Sequence, residues 1–469
     1  MRLRFASALV LLIFLTLPCD GCAQDNCSFT SRETSAAPVV PDGFGVNIDF
    51  TDPRPGEIKM LSEAGFRWVR MDLKWDATEK ESGRYDFSAY DRLMAALKPH
   101  NIHALFILDY GNPLYDNGAP PRTEATRQAF ARWAVASARH FAGAGVLWEI
   151  YNEPNHPTFW PPQPNALEYV ALALAVGRAF HESVPDEKLI GPATSEIDFD
   201  FLESCFKAGL LEYWSAVSIH PYRRGDPETA AQDYCRLRAM IRTYAPVRTG
   251  SSNDGALVRT GSSSDRVLVR TESSSDRVAT PKNIPIISSE WGYSSVWPGM
   301  NDDQQGELLA RAWLTNVANG ISLSIWYDWR DDGLDPNEAE HHFGTVLGSY
   351  HEGHDPVYDP KPTYLAAKTL AAFFNGYRFE KRLEVGSGDD YLLVFRRVES
   401  AAGKPLQDAN SGDLRFAAWT RADEGHNVLL PLNAGRYTTI RHNGQNESVI
   451  SADQKGLSIK LTTGPVYIR

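Results

Sequence analysis

Short apolar runs that end in polar residues recur along the chain as far as residue 327, and each is followed by a stretch of different rhythm. The runs are Phe44–Phe50, Trp68–Leu73, His103–Asp109, Val146–Asn152, Lys188–Gly191, Ala216–His220, Pro285–Glu290 and Ile321–Tyr327. Their length and bounding residues predict strands. Between them Pro55–Ala64, Tyr90–Leu97, Thr126–Phe141, Ala166–Phe180 and Gln304–Ala318 place alanine and leucine at helical spacing. Eight strand-helix units in sequence predict an α/β fold, a (β/α)8 TIM barrel over residues 42–376. A doubly wound sheet more often shows a glycine-rich phosphate loop after its first strand, and Asp49-Phe50-Thr51-Asp52-Pro53 is not one.

The pattern changes from about Gly376. Tyr391–Arg396, Arg415–Trp419, Asn427–Pro431, Tyr437–Arg441, Leu457–Leu461 and Val466–Ile468 alternate with turn residues, which predicts a small antiparallel β-sandwich over residues 377–469. Trp419 and the tyrosines of this region suit either a carbohydrate-binding platform or the interior of a packing domain. The position of Trp419 in mid-strand favours the interior.

Two segments fall outside the rhythm. Residues 247–279 are three near-copies of an 11-residue unit, VRTGSSNDGAL, VRTGSSSDRVL and VRTESSSDRVA. Their Gly, Ser and Asp content cannot bury a core, so they are expected to form a mobile insertion in the barrel without chemistry of its own. At the other extreme, residues 1–23 run from Arg2 and Arg4 through an apolar stretch from Leu9 to Leu17 to Gly21-Cys22-Ala23, the pattern of a signal peptide. A linker over residues 24–41 would follow. The expected location is secreted or periplasmic, with no membrane attachment once the signal is cleaved.

Charge narrows the partners. The chain carries a formal −12, and loss of Arg2, Arg4 and Asp20 with the signal would leave −13. Such a balance argues against nucleic acid and anionic lipid. Of five cysteines only Cys205 and Cys235 fall in the predicted folded body, where they either pair or remain two buried thiols. His341, His342, His351 and His354 lie in one region without metal-ligand spacing, so no metal is expected.

Because active sites of this barrel sit where strands end, the polar residues there are the candidates. They are Arg70 and Asp72, Asp109, Asn152 and Glu153, His220 and Tyr222, Glu290, and Trp326 with Asp328. Glu153 follows the apolar run Trp148–Tyr151 and precedes Pro154, and Glu290 closes Ile284–Ser289. Two carboxylic groups at two strand ends suit glycoside hydrolysis, in which one protonates the leaving oxygen and the other attacks the anomeric carbon or activates water. Asn152 can hydrogen-bond a sugar 2-hydroxyl. Arg70 would keep one carboxylate ionised, apolar and like-charge surroundings would keep the other protonated, and His220 and Tyr222 would orient them. Trp75, Tyr110, Trp160, Trp291, Trp297, Tyr327 and Trp329 crowd the same end, and aromatic faces stack on sugar rings.

The motifs Ile-Tyr-Asn152-Glu153-Pro-Asn, Ser-Ile-His220-Pro-Tyr222, Ile-Ser-Ser-Glu290-Trp-Gly and Ser-Ile-Trp326-Tyr-Asp-Trp, in that order, resemble the retaining glycoside hydrolases of clan A. Within the clan the chain is most similar to family 39 and next to family 5. The segment Lys361–Leu370 and the later Ala417-Ala418-Trp419-Thr420 are similar to secreted bacterial members of the family 39 type. The resemblance implies Glu153 on the fourth strand as acid/base, Glu290 on the seventh as nucleophile, and retention of anomeric configuration. It further implies that Arg70 supports the nucleophile, Asn152 contacts the 2-hydroxyl, His220 and Tyr222 line the site, and Trp326 floors the −1 subsite. No cofactor is implied. The expected enzyme is a monomeric β-glycosidase acting on a β-linked poly- or oligosaccharide. The alternatives are a catalytically silent carbohydrate-binding barrel and a surface adhesion protein.

Overall fold

The computed structural model describes residues 38–248, 280–398 and 414–469. The signal segment, most of the linker and nearly all of the repeat insertion lie outside the described residues. Eight parallel strands close into a barrel: β1 Phe44–Asn47, β2 Trp68–Lys74, β3 His103–Asp109, β4 Leu147–Ile150, β5 Lys188–Ser195, β6 Ala216–His220, β7 Ile286–Trp291 and β8 Ser324–Trp326, with β1 beside β8. Inward-pointing Leu105, Ile107, Ile190, Ala216, Ile287, Leu323 and Ile325 fill the barrel as one apolar cluster, so its interior is packed and the polar residues lie at the strand ends.

Outside the barrel, helices Glu124–His140, Ala166–Ser183, Ala230–Tyr244 and Asp302–Ala318 lay their apolar faces on the strands. Thr123, Asn165 and Asn301 begin three of them, each side chain accepting from a first-turn amide. The last predicted linker residues belong to this body: Val40 is buried, and its amide donates to the Tyr377 carbonyl at 2.9 Å.

The repeat insertion leaves and re-enters the fold at one place. Val247–Arg248 and Thr280–Pro281 form a two-residue antiparallel ladder, with Arg248 opposite Thr280.

After helix Pro362–Phe373 comes a six-stranded antiparallel sheet. Its strand order is Tyr377–Leu383, Asp390–Arg397, Leu414–Thr420, Val466–Ile468, Gly435–Arg441, Ser448–Ala452. The hairpin of His426–Leu430 and Leu457–Leu461 covers it, and Leu392, Val394, Leu430, Leu457, Leu461 and Ile468 pack between the layers. The opposite face of the larger sheet joins the barrel, because Phe395, Ala417, Trp419 and Tyr467 belong to the same apolar cluster as the barrel helices. Trp419 is buried, stacked on Tyr391 at 4.8 Å, and its indole donates to Glu228 at 2.6 Å. It serves the interface between the two parts rather than a sugar platform.

Of the sequence alternatives for the cysteines neither holds. Cys205 is a buried free thiol, whereas Cys235 is disulfide-bonded, so they are neither a pair nor two free thiols.

Candidate active site

Arg70 organises the mouth of the barrel. It points inward from the middle of β2 with 1% of its surface exposed, and such a buried guanidinium needs partners for all its donors. Its Nε donates to Glu149 at 2.8 Å, Nη1 to Glu290 at 2.5 Å and to Asn47 at 3.2 Å, and Nη2 to Asn152 at 2.7 Å. Nη2 also lies 3.3 Å from His220 Nε2, which accepts if the ring proton sits on Nδ1.

The two candidate carboxylates are held differently. Glu290 on β7 pairs with Arg70 through one oxygen and accepts from the Tyr222 hydroxyl at 2.8 Å through the other. Burial, then the charge of Glu290, pushes the Tyr222 phenol well up, so it stays a donor. Glu153 accepts from His220 Nδ1 at 2.8 Å. Burial raises Glu153, but the hydrogen bond and charge of His220, followed by Arg70, outweigh it and hold the carboxyl below its usual range. The sequence expectation of an acid kept protonated by its surroundings is thus not met, because the histidine stands beside the carboxyl where apolar contact was expected.

The local backbone explains how β4 delivers Glu153. Tyr151 and Glu153 have φ of 67° and 42°, and the chain is kept in this left-handed path by the amide of Glu153 donating to the Ala193 carbonyl at 3.0 Å. Two non-glycine residues in that region cost energy that the surrounding packing must supply, a cost found where side chains are aimed for function.

One oxygen of Glu153, one of Glu290 and a ring nitrogen of His220 all lie within 4.8 Å of one another. Retaining glycosidases hold their carboxyl groups about 5–5.5 Å apart, and inverting ones about 6.5–9.5 Å to admit a water. The separation belongs to the first class.

A cavity of about 860 Å³ opens over these groups. Asn47, Arg70, Asn152, Glu153, Tyr222 and Glu290 contribute to its floor and walls. His220 does not line it; fully buried, it acts from behind through Glu153. Trp326 is not brought to the cavity either. Its indole donates to the Phe343 carbonyl at 3.3 Å and its ring stacks with Tyr293, while the next residue, Tyr327, lines the cavity. Of the aromatic residues counted at this end, Tyr110, Trp297 and Tyr327 face the cavity, together with Phe159 and Phe343. Trp75, Trp160, Trp291 and Trp329 are buried in the apolar core.

Glu149 and Asn47 were absent from the sequence candidates. Glu149 had a signal: a fully buried charge in the middle of the apolar strand β4 requires a buried cation, and Arg70 is that cation.

The family model described as cellulase (glycosyl hydrolase family 5) matches residues 44–333. No curated protein sequence matches. Among solved structures, a family 39 glycoside hydrolase from Bacteroides cellulosilyticus WH2 is 22% identical with a TM-score of 0.69, over 93% of this chain and 81% of that one. A GH39 β-xylosidase from Caulobacter crescentus is 16% identical with a TM-score of 0.58, over 92% of this chain and 97% of that one. A glycoside hydrolase family 30 subfamily 8 xylanase from Clostridium acetobutylicum is 11% identical with a TM-score of 0.57, over 92% and 96%. At these identities the structures establish a shared fold.

Proposed function

Because the chain belongs to the cellulase family of glycosyl hydrolases, family 5, we propose that it cleaves a β-linked poly- or oligosaccharide by double displacement, with Glu290 as nucleophile and Glu153 as acid/base. The observation that carries the reading is the closeness of the two carboxylates, which have oxygens within 4.8 Å of each other, as in the retaining class with its direct attack on the anomeric carbon.

Attack by Glu290 forms a covalent glycosyl ester while Glu153 protonates the departing oxygen; Glu153 then takes a proton from the water that hydrolyses the ester. Arg70 and Tyr222 hold Glu290 from two sides and so fix the attacking group before substrate arrives. Asn152, its carbonyl oxygen tied to Arg70, turns its amide NH2 toward the sugar 2-hydroxyl, where a hydrogen bond strengthens as the oxocarbenium ion develops. Because His220 and Arg70 hold Glu153 low, the alkaline limb of kcat/KM, which reports the acid in the free enzyme, is expected on the acid side of neutrality.

Xylan-type substrates are favoured within this reading, since related folds include a β-xylosidase and a xylanase. Export is part of the proposal. It is supported by the charged, apolar and small-residue order of residues 1–23 and by the disulfide at Cys235, which suits an oxidising compartment.

The test is hydrolysis of aryl β-glycosides by Glu153→Ala and Glu290→Ala, with azide added. Each variant should lose activity by ~10³-fold or more. Azide should yield a β-glycosyl azide with Glu153→Ala and an α-glycosyl azide with Glu290→Ala. Exchange of the two products would reverse the roles, and full activity in either variant would remove that residue from the chemistry.

A further inference from the structure

A second pair of carboxylates lies beside the catalytic pair and has no part in the chemistry above. Asp72 follows Arg70 by two residues on β2, so its side chain points inward one step nearer the mouth. It lines the cavity beside Lys74 and Tyr110, with 29% of the side chain exposed. The Lys74 ammonium is 3.8 Å away, an ion pair too long for a hydrogen bond. Behind Asp72, at the end of β3, stands Asp109, fully buried, with no donor for either of its oxygens. The charge that acts most strongly on Asp109 is that of Asp72.

An ionised carboxylate is acceptor-only, and one buried beside another with no donor for either oxygen is relieved by carrying a proton. We propose that Asp72, backed by a proton-bearing Asp109, binds the hydroxyls of the sugar next to the scissile bond, and selects neutral sugars with free neighbouring hydroxyls over uronosyl, sulfated or deoxy ones. The inference rests on the glycosidase reading and names the substrate class of that site.

The physical argument has two parts. Burial first, and then the charge of Asp72, pushes the Asp109 carboxyl well above its usual range, while Arg70 and Lys74 pull the other way and do not prevail. The other titratable groups facing it are phenols: Tyr90 from helix Ser88–Leu97, its neighbour Tyr110, and Tyr151 beyond β4. Asp109 therefore carries the proton, and its donation fixes the rotamer of Asp72. Asp72 in turn keeps its outward lone pairs for the cavity. A carboxylate so placed accepts hydrogen bonds from two adjacent hydroxyls and repels an anionic substituent at those ring positions.

The experiment compares 4-nitrophenyl β-D-xylopyranoside and β-D-glucopyranoside with their monodeoxy analogues. With the better parent, Asp72→Ala should lower kcat/KM on the order of a hundredfold, yet lose less than about threefold with the analogue lacking the hydroxyl it binds. Asp109→Asn keeps a neutral donor and should stay within about threefold of wild type, whereas Asp109→Leu, of similar volume, should raise KM to the level of Asp72→Ala. Equal losses on parent and deoxy substrates, or none, would overturn the inference while leaving the glycosidase reading intact. If the wild type cleaves no glycoside, that reading falls, and calorimetry with xylobiose and cellobiose decides: binding lost in Asp72→Ala upholds the inference, while unchanged binding, or none to the wild type, overturns it.

Discussion

His220 is invisible to substrate and yet sets the state of Glu153. Its Nδ1 lies 2.8 Å from Glu153 and its Nε2 3.3 Å from Arg70 Nη2, so the ring is held from both sides against the carboxylate. Replacing it by phenylalanine leaves the burial that raises Glu153 and removes the donor that lowers it. The alkaline limb of kcat/KM should therefore move to higher pH in His220→Phe, with kcat lower by about 10- to 100-fold because the acid is no longer oriented. A pH profile superposable on that of the wild type would refute the role. At this scale the sequence was most informative where a strand ended, since Asn152, Glu153, Tyr222 and Glu290 meet at one mouth, around Arg70 from the middle of β2. It was least informative where one position decides a face. Trp326 and Tyr327 are neighbours of similar chemistry, and successive residues of a strand point to opposite sides, so only the ladder of β8 reveals which one meets the sugar cavity.

The elements were legible as a succession but less so at their ends. β1 and β8 are shorter than their apolar runs: Ile48, Ile321 and Leu323 are buried and Phe50 half-buried, but they lie outside the regular strand pairing. β5 is longer than predicted and passes through Pro192, with a register shift on β6 and with the Ala193 amide donating to Ser218 Oγ at 3.0 Å. A proline is a stop signal in a sequence, and here a side chain replaces the interrupted ladder. In the sandwich, His442 just beyond strand Gly435–Arg441 supplies a pH-sensitive position. Burial, then the nearby Arg441, depresses it to about 4, with the Pro465 carbonyl offsetting only part. Above about pH 6.5 both folded and unfolded chains hold it neutral; as pH falls from there to about 4 only the unfolded chain gains the proton, so stability is lost. The loss is about 3 kcal/mol at most. Relative to pH 7, His442→Leu should lose less Tm at pH 5 than wild type does, and identical pH slopes for the two would remove the residue from the account.

At the scale of the molecule, the barrel and sandwich share an apolar cluster, and a buried carboxylate ties them: Glu228 takes two bonds from Arg311 of the barrel and one from Trp419 of the sandwich. Wild type should therefore unfold in one calorimetric transition. Trp419→Ala opens the cluster and leaves Glu228 short of a donor, which should cost about 3–5 kcal/mol. Two resolved transitions in the wild type would show that the interface does not couple the parts. The β character of this region was readable from its alternation, but its attachment was not, because an apolar strand face looks the same whether it meets its own partner sheet or a neighbouring barrel.

The short ladder that joins Val247–Arg248 to Thr280–Pro281 has a consequence for how this gene can change. Near-identical units of eleven residues in tandem can be gained or lost whole without shifting the reading frame. In most places inside a barrel such drift would displace the strand that follows. Here the excursion begins and ends at paired residues, so β7 and Glu290 on it follow from a fixed point in the fold.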